Sequence, residues 1–186
     1  MLMITGSVAF AAEVAPVEDN EISLEYQEYY DNQDYYNNLA KNGYTLYVHV
    51  GPEYDEWEME RITEKSTGSE DCLVQSDPYT RELTIPTYYY DMLERGKKVI
   101  SGSTTTTLGY LFTNYIYHGC SSFEISLYNR GDDTLEVDLV QEGSSVAFES
   151  YDIPAETTVI KYTTEDYWYG RFKNPCSVYG YVARDI

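Results

Sequence analysis

Residues 122–163, SFEISLYNRGDDTLEVDLVQEGSSVAFESYDIPAETTVIKYT, decide the fold class of this chain. Apolar and polar residues alternate in four runs, and this alternation is the side-chain period of a strand with one face on a core and one in solvent. Phe123, Ile125 and Leu127 form the apolar side of the first run. The pattern predicts a β-meander, in which each strand pairs with the next through a hairpin.

Three polar clusters supply the turns of this predicted meander. Residues 129–133 include Asn and Gly, which accept the positive φ angles of a tight hairpin. Residues 141–144 have the same character, and residues 152–156 make a wider connection that contains Pro154. We therefore expect three successive reversals of the chain within this stretch.

The alternation continues outside this stretch. Strands are predicted at residues 44–50 and 178–183, and a further strand is predicted near Trp57 and Met59. Residues 108–117 are apolar on both faces, which favours a long central strand. A short helix is predicted from Asp34 to Lys41, ended by Asn42 and Gly43.

These elements define the expected fold class. Eight or nine strands and no long helix predict an all-β chain, an antiparallel two-sheet β-sandwich with the jelly roll as a candidate topology. Residues 41–186 form the predicted β-sandwich domain. Residues 13–40 carry eight acidic side chains and no Lys or Arg, and we expect this tyrosine-rich N-terminal segment to be partly ordered.

Residues 1–12, MLMITGSVAFAA, are predicted to be a signal peptide, because this apolar run ends in the small-x-small pattern Ala9-Phe10-Ala11. Cleavage is expected after Ala11 or Ala12, and the run is too short to span a bilayer. It lacks the usual leading Lys or Arg, which a truncated start would explain, and the alternative is a buried first strand. The sequence thus predicts a secreted or extracellular protein, the cell surface included.

The charge of the chain limits its partners. The 32 acidic and 12 basic residues give a formal net charge of −20. A surface of this sign repels nucleic acid and acidic lipid, so neither is an expected partner. An extracellular glycan or protein remains the expected class of ligand.

Three cysteines, Cys72, Cys120 and Cys176, suit an exported protein if two pair and one is left over. Cys120 and Cys176 both lie in turn-like contexts just before a predicted strand, which favours a bridge between them. Spacing does not determine connectivity, and three free thiols are the alternative.

No motif of catalytic, nucleotide-binding or metal-binding specificity occurs in the sequence. Glycoside hydrolysis needs two carboxylates a few ångströms apart, but 32 acidic residues single out no pair. Residues 31–34 and Asp132-Asp133 offer oxygen ligands without the spacing of a recognised calcium loop. The prediction is therefore no catalytic residue, no metal site and no cofactor, with calcium as the alternative cofactor.

Aromatic residues are the most suggestive feature, since the chain contains 22 tyrosines. Aromatic rings beside carboxylates and amides suit the apolar faces and hydroxyls of a sugar. The predicted ligand-binding residues are Tyr115, Tyr117, Tyr167, Trp168 and Tyr169. Cross-strand packing of aromatic pairs within the sheets is the competing explanation.

The function predicted from the sequence is thus a secreted, non-catalytic β-sandwich binding or interaction module that recognises glycans through exposed aromatic residues. A carboxylate-dependent extracellular hydrolase and a purely structural accessory module are the alternatives.

Overall fold

The computed structural model describes residues 20–51, 71–72, 74–75 and 85–185. These residues form two mixed β-sheets that pack face to face, as in a β-sandwich, with three short helices. The predicted signal peptide and the predicted strand near Trp57 lie outside the described residues. In the described part of the chain no helix is long and apolar enough to cross a membrane.

Within the described residues, sheet A contains seven strands, which in spatial order are β1 (Glu21–Glu25), β2 (Thr45–His49), β12 (Thr157–Thr163), β9 (Phe123–Asn129), β14 (Cys176–Arg184), β6 (Lys98–Thr104) and β3 (Asp71–Cys72). The spatial order in sheet B is β11 (Ala147–Ile153), β10 (Leu135–Gln141), β13 (Trp168–Lys173), β7 (Tyr110–Phe112) and β4 (Val74–Gln75). Two further strands belong to this sheet: β8 (Tyr115–His118) pairs with β13, and β5 (Tyr88–Asp91) pairs with β8. The helices are α1 (Tyr26–Asp31), α2 (Gln33–Lys41) and α3 (Met92–Arg95).

All four strands predicted in residues 122–163 form, but they do not make a meander. β9 pairs with β12 in sheet A, while β10 pairs with β11 in sheet B. Residues 129–133 therefore carry the chain from one sheet to the other, and of the three predicted turns the one at residues 141–144 joins two paired strands. Alternation determines which side chains face the core, but not which strand each one pairs with.

The prediction of purely antiparallel sheets with eight or nine strands is also wrong. β1 runs parallel to β2, β3 to β6 and β5 to β8, and the described residues contain fourteen strands, two of them of two residues each. The parallel pairing of β1 with β2 is possible because α1 and α2 connect them as a crossover. The single long strand predicted at residues 108–117 is divided into β7 and β8.

The helix predicted from Asp34 to Lys41 is confirmed by α2. It ends before Gly43, whose φ angle of 96° suits a residue without a Cβ atom. β1 and the two helices bury Leu24, Tyr26, Tyr29 and Ala40 in one apolar cluster on sheet A. The described part of the acidic N-terminal segment is therefore built into the sandwich.

The main core lies between the sheets and is rich in aromatic side chains. Trp168 is 1% exposed and contacts Tyr117 and Phe123, with ring centroids 5.1 and 5.7 Å apart. Sheet B also buries residues on its other face, where Phe112, Ile116, Val140 and Tyr169 form a separate cluster. Both faces of sheet B are thus apolar near its centre.

Gly180 of β14 lies opposite Leu127 of the neighbouring strand β9. A Cβ atom at this position would overlap the carbonyl oxygen of Ser126 and come within 2.9 Å of the Leu127 Cα atom. Backbone atoms in the middle of a paired strand cannot move aside, so only glycine fits this position.

We predict that Gly180→Ala destabilises the protein by roughly 3 kcal/mol, because overpacking against backbone forces two central strands apart. Denaturant unfolding followed by circular dichroism measures this loss. Gly170→Ala is the matched control, since its added Cβ atom meets ordinary contacts at 3.4 Å to Phe172 and Thr113. A loss for Gly180→Ala no larger than for Gly170→Ala would contradict the argument.

Several tyrosine hydroxyls are held in the neutral form. Burial, and then the charge of Glu21, raises the pKa of Tyr47 to about 12. Burial, and then a hydrogen bond to Glu28, raises the pKa of Tyr36 to about 12. Both phenols therefore keep their protons in the folded protein at pH values where the same groups in an unfolded chain lose them.

We predict an alkaline loss of stability from these tyrosines. The unfolded pKa is 10.0 and the folded pKa is about 12, so the stabilising contribution is fully present below pH 10 and is lost as the pH rises through about 12. Tyrosinate absorbance and circular dichroism, recorded together, measure it. Tyr47→Phe should lose less stability across this range. Ionisation of all tyrosines in one step near pH 10, with the sheet signal intact, would refute the prediction.

Candidate functional site

The structure buries three of the five aromatic residues predicted to bind a ligand. Tyr117, Trp168 and Tyr169 are at most 1% exposed, so their ring faces cannot contact a sugar. Tyr115 is half-buried and packs edge-on against Tyr90. For these residues the structure matches the alternative explanation, in which the rings pack within and between the sheets.

The predicted bridge between Cys120 and Cys176 does not form, and both are free thiols. Arg184 at the end of β14 pairs with Phe123, whereas Cys176 stands at the other end of the strand. Eight residue steps along a strand span roughly 26 Å, and a disulfide needs Cα atoms within about 7 Å. Cys120, three residues before Phe123, therefore lies at the opposite end of the sandwich from Cys176.

Tyr167 is the predicted residue that remains exposed, at 45% of its surface. It belongs to a group of three rings, here called the aromatic cluster: Tyr89, His118 and Tyr167. The rings of His118 and Tyr167 are stacked, with centroids 5.1 Å apart and an 8° angle between their planes. Tyr89, 47% exposed, contacts both edge-on, with centroid distances of 5.9 Å to His118 and 6.2 Å to Tyr167.

The strand register brings these three rings together. In the parallel β5–β8 pair, Tyr89 lies opposite Ile116 and Asp91 lies opposite His118. Paired residues and residues two apart share a face, so Tyr89 and His118 project from the same side of sheet B. Tyr167 comes from the loop before β13, and the first residue of β13, Trp168, pairs with Tyr117 of β8.

Hydrogen bonds hold Tyr167 in an unusual backbone conformation. Its φ angle is 56°, in the left-handed region that tyrosine rarely adopts. The Asp166 carboxylate accepts hydrogen bonds from the backbone nitrogens of Tyr167, at 3.0 Å, and of Gly119, at 3.2 Å. The Tyr167 carbonyl oxygen accepts one from the backbone nitrogen of Glu142, at 2.7 Å.

Carboxylates adjoin the aromatic cluster. The Tyr89 hydroxyl donates a hydrogen bond to Glu142, and this bond raises the pKa of Tyr89 above its usual value. Asp91 and Asp166 each have one oxygen that accepts two backbone hydrogen bonds. Asp91 therefore caps α3, and Asp166 holds the loop before β13.

Cys120 stands two residues from His118 without the character of an activated nucleophile. Burial raises the pKa of its thiol to about 11, so the reactive thiolate is scarce at neutral pH. Across the residues that the structure describes, no three His, Cys, Asp or Glu side chains come close enough to hold a metal ion. The cluster thus presents aromatic surface, hydroxyl and carboxylate groups.

Sequence reasoning missed Tyr89 and His118. The run Tyr88-Tyr89-Tyr90 is a visible signal, since alternation along a strand must expose part of it. Its proximity to Tyr167 depends on the parallel β5–β8 pair, which local sequence does not indicate.

Comparison with known proteins finds no matching family model, no matching curated protein and no matching solved structure. Functional inference for this chain therefore rests on the chemistry of its own residues.

We predict that Tyr167→Gly is more stable than Tyr167→Ala by about 1 kcal/mol. Both variants lose the ring and its stacking on His118, but only alanine keeps a Cβ atom at a positive φ angle. Thermal or denaturant unfolding of the two variants measures the difference. Equal stability would show that the backbone at this position carries no strain.

Proposed function

We propose that this protein is an exported, non-catalytic binding module that recognises a glycan through the aromatic cluster. The observation that carries the proposal is the exposure of two tyrosine rings, Tyr89 and Tyr167, beside His118 and the carboxylate of Glu142. Export is part of the proposal because of the signal-like residues 1–12.

The cluster has the chemistry that a neutral sugar needs. The C–H face of a pyranose packs against an aromatic ring, and its hydroxyls donate hydrogen bonds to carboxylates and accept them from phenols. Tyr167 leaves nearly half of its surface in solvent, although stacking on His118 covers one face. A sugar ring would contact the part of the tyrosine that His118 leaves open.

The backbone of Tyr167 supports a functional interpretation. A non-glycine residue at a positive φ angle costs roughly 1–2 kcal/mol, and such residues are enriched at binding and active sites. Glycine would remove this cost but also the ring. A tyrosine at this position is consistent with a functional role for the ring.

The strand order supports a jelly-roll topology. The pairs β6–β14, β8–β13, β9–β12 and β10–β11 alternate between sheets A and B, as expected for one long antiparallel ribbon folded over on itself. Lectin domains are among the proteins with this architecture. The likeness concerns the fold, and function is argued from the cluster.

The cluster favours binding over hydrolysis. Asp91 on β5 and Asp166 before β13 are engaged by backbone N–H groups, and Glu142 accepts a hydrogen bond from Tyr89. A glycosidase needs one carboxyl to deliver a proton and a second to attack or to activate water. Hydrolysis of a bound glycan by the purified protein would favour the enzyme instead.

We predict that the purified protein binds neutral glycans on an array, and that Tyr167→Gly weakens the strongest interaction at least about tenfold. Loss of one stacking contact of about 1.4 kcal/mol corresponds to that factor. Titration calorimetry with the best glycan measures the affinity. Tyr167→Gly is preferred to Tyr167→Ala because it removes the ring without leaving backbone strain.

Tyr35→Ala is the matched control, because Tyr35 is 57% exposed on α2, away from the cluster. It should leave glycan binding unchanged. Absence of any signal across the array, or equal losses for Tyr35→Ala and Tyr167→Gly, would overturn the proposal.

A further inference from the structure

A groove of about 610 Å³ opens between the two sheets at one side of the sandwich, remote from the aromatic cluster. It is lined from sheet A by Glu21, Ser23 and Tyr47, and from sheet B by residues 150–152 and Pro154. β1 and β11 are the outermost strands of their sheets at this side. The groove is therefore bounded by two sheet edges.

Sheet A extends past sheet B and forms the floor of this groove. Tyr47 packs against the core between the sheets, so the residues of β1 that share its face point the same way. Those residues, Glu21, Ser23 and Glu25, are exposed, whereas Leu24 is buried on the opposite face. The inner face of β1 is thus a polar shelf that sheet B does not cover.

The wall of the groove is the open edge of β11. Within the described residues β11 pairs with β10 and with no strand on its other side. Alternate N–H and C=O groups of such an edge are available to another strand. β11 has seven residues, enough to pair with a strand of ordinary length.

The charge of the groove selects the occupant. Glu21 and Asp152 line the groove beside Tyr47, whose hydroxyl donates a hydrogen bond to Glu21 at 3.5 Å. Two negative charges therefore adjoin that ring, and both raise the pKa of Tyr47 after burial does. The nearby cation Lys161 is already paired with Glu149. Aromatic rings beside carboxylates suit an ammonium group, and a net charge of −20 would speed the approach of a basic partner.

We propose that this groove binds an extended basic peptide segment, which adds a strand to the edge of β11 and places alternate lysine or arginine side chains on the shelf of β1 and β2. Main-chain hydrogen bonds to β11 supply affinity, as in other strand additions. The two-residue spacing of Glu21 and Ser23 along the shelf matches the side-chain period of the added strand. This site is separate from the aromatic cluster and does not depend on glycan binding.

The test uses a labelled peptide of seven residues with lysine at alternate positions and threonine between them, measured by fluorescence anisotropy at low salt. We expect saturable binding that weakens with added salt. A peptide with glutamate in place of lysine should not bind. A lysine peptide methylated on alternate backbone nitrogens should bind with an affinity at least about tenfold lower, because it cannot donate backbone hydrogen bonds to the edge of β11. Equal binding of the methylated peptide would overturn strand addition.

Two exposed positions test the shelf without disturbing the core. Glu21→Lys and Ser23→Lys should each lower the affinity for the lysine peptide at least about tenfold. Glu94→Lys is the matched charge control on α3 and should have little effect. The helix α3 directly follows β5, which joins sheet B through β8 and lies away from the edge formed by β11. Equal losses of affinity for Glu94→Lys and Glu21→Lys would show that the peptide responds only to the net charge of the protein, and would overturn the proposed site.

Tyr167→Gly should bind the peptide as the unaltered protein does, which keeps this test independent of the proposed glycan site.

Discussion

The contact between Gly180 and the backbone of β9 is the constraint on which the rest of the sandwich depends. β9 and β14 are central strands of sheet A, and each has a further strand on its outer side. Their inward side chains, Leu127 and Val178 among them, form the surface against which sheet B packs. Any increase in the spacing of these two strands would therefore change the packing under the aromatic core.

The sequence predicts the strands of residues 122–163 well because alternation reflects burial directly. Leu135, Val137 and Leu139 are all 1% exposed, as their spacing indicates. The pairing of those strands was not predictable, since a turn composed of Asn, Gly and Asp suits a hairpin and a crossing between sheets equally. The difference lies in Asn129, whose buried amide donates hydrogen bonds to the carbonyl oxygens of Ile153 and Asp133. Ile153 is 24 residues from Asn129 along the chain, so the local sequence does not indicate this contact.

The candidate site was predictable only in part, for a related reason. Tyr167 and Trp168 are adjacent and aromatic, yet one is exposed and the other is buried because they point to opposite faces of sheet B. Tyr169 shares the outer face with Tyr167 but is covered in the cluster around Phe112 and Ile116. Composition alone does not distinguish a ring that packs in the core from a ring that stays in solvent. For Tyr167 the loop backbone contributes to that difference, and contacts from Asp166 and Glu142 hold it.

The separation of Cys120 from Cys176 has a consequence for the chemical durability of the protein. Burial raises the pKa of both thiols to about 11, and it is the thiolate that takes part in exchange with other disulfides. No disulfide between these two cysteines can link the ends of the sandwich, so apolar packing and strand pairing hold the ends together. These two positions would therefore tolerate a change from reducing to oxidising surroundings with little effect on the fold.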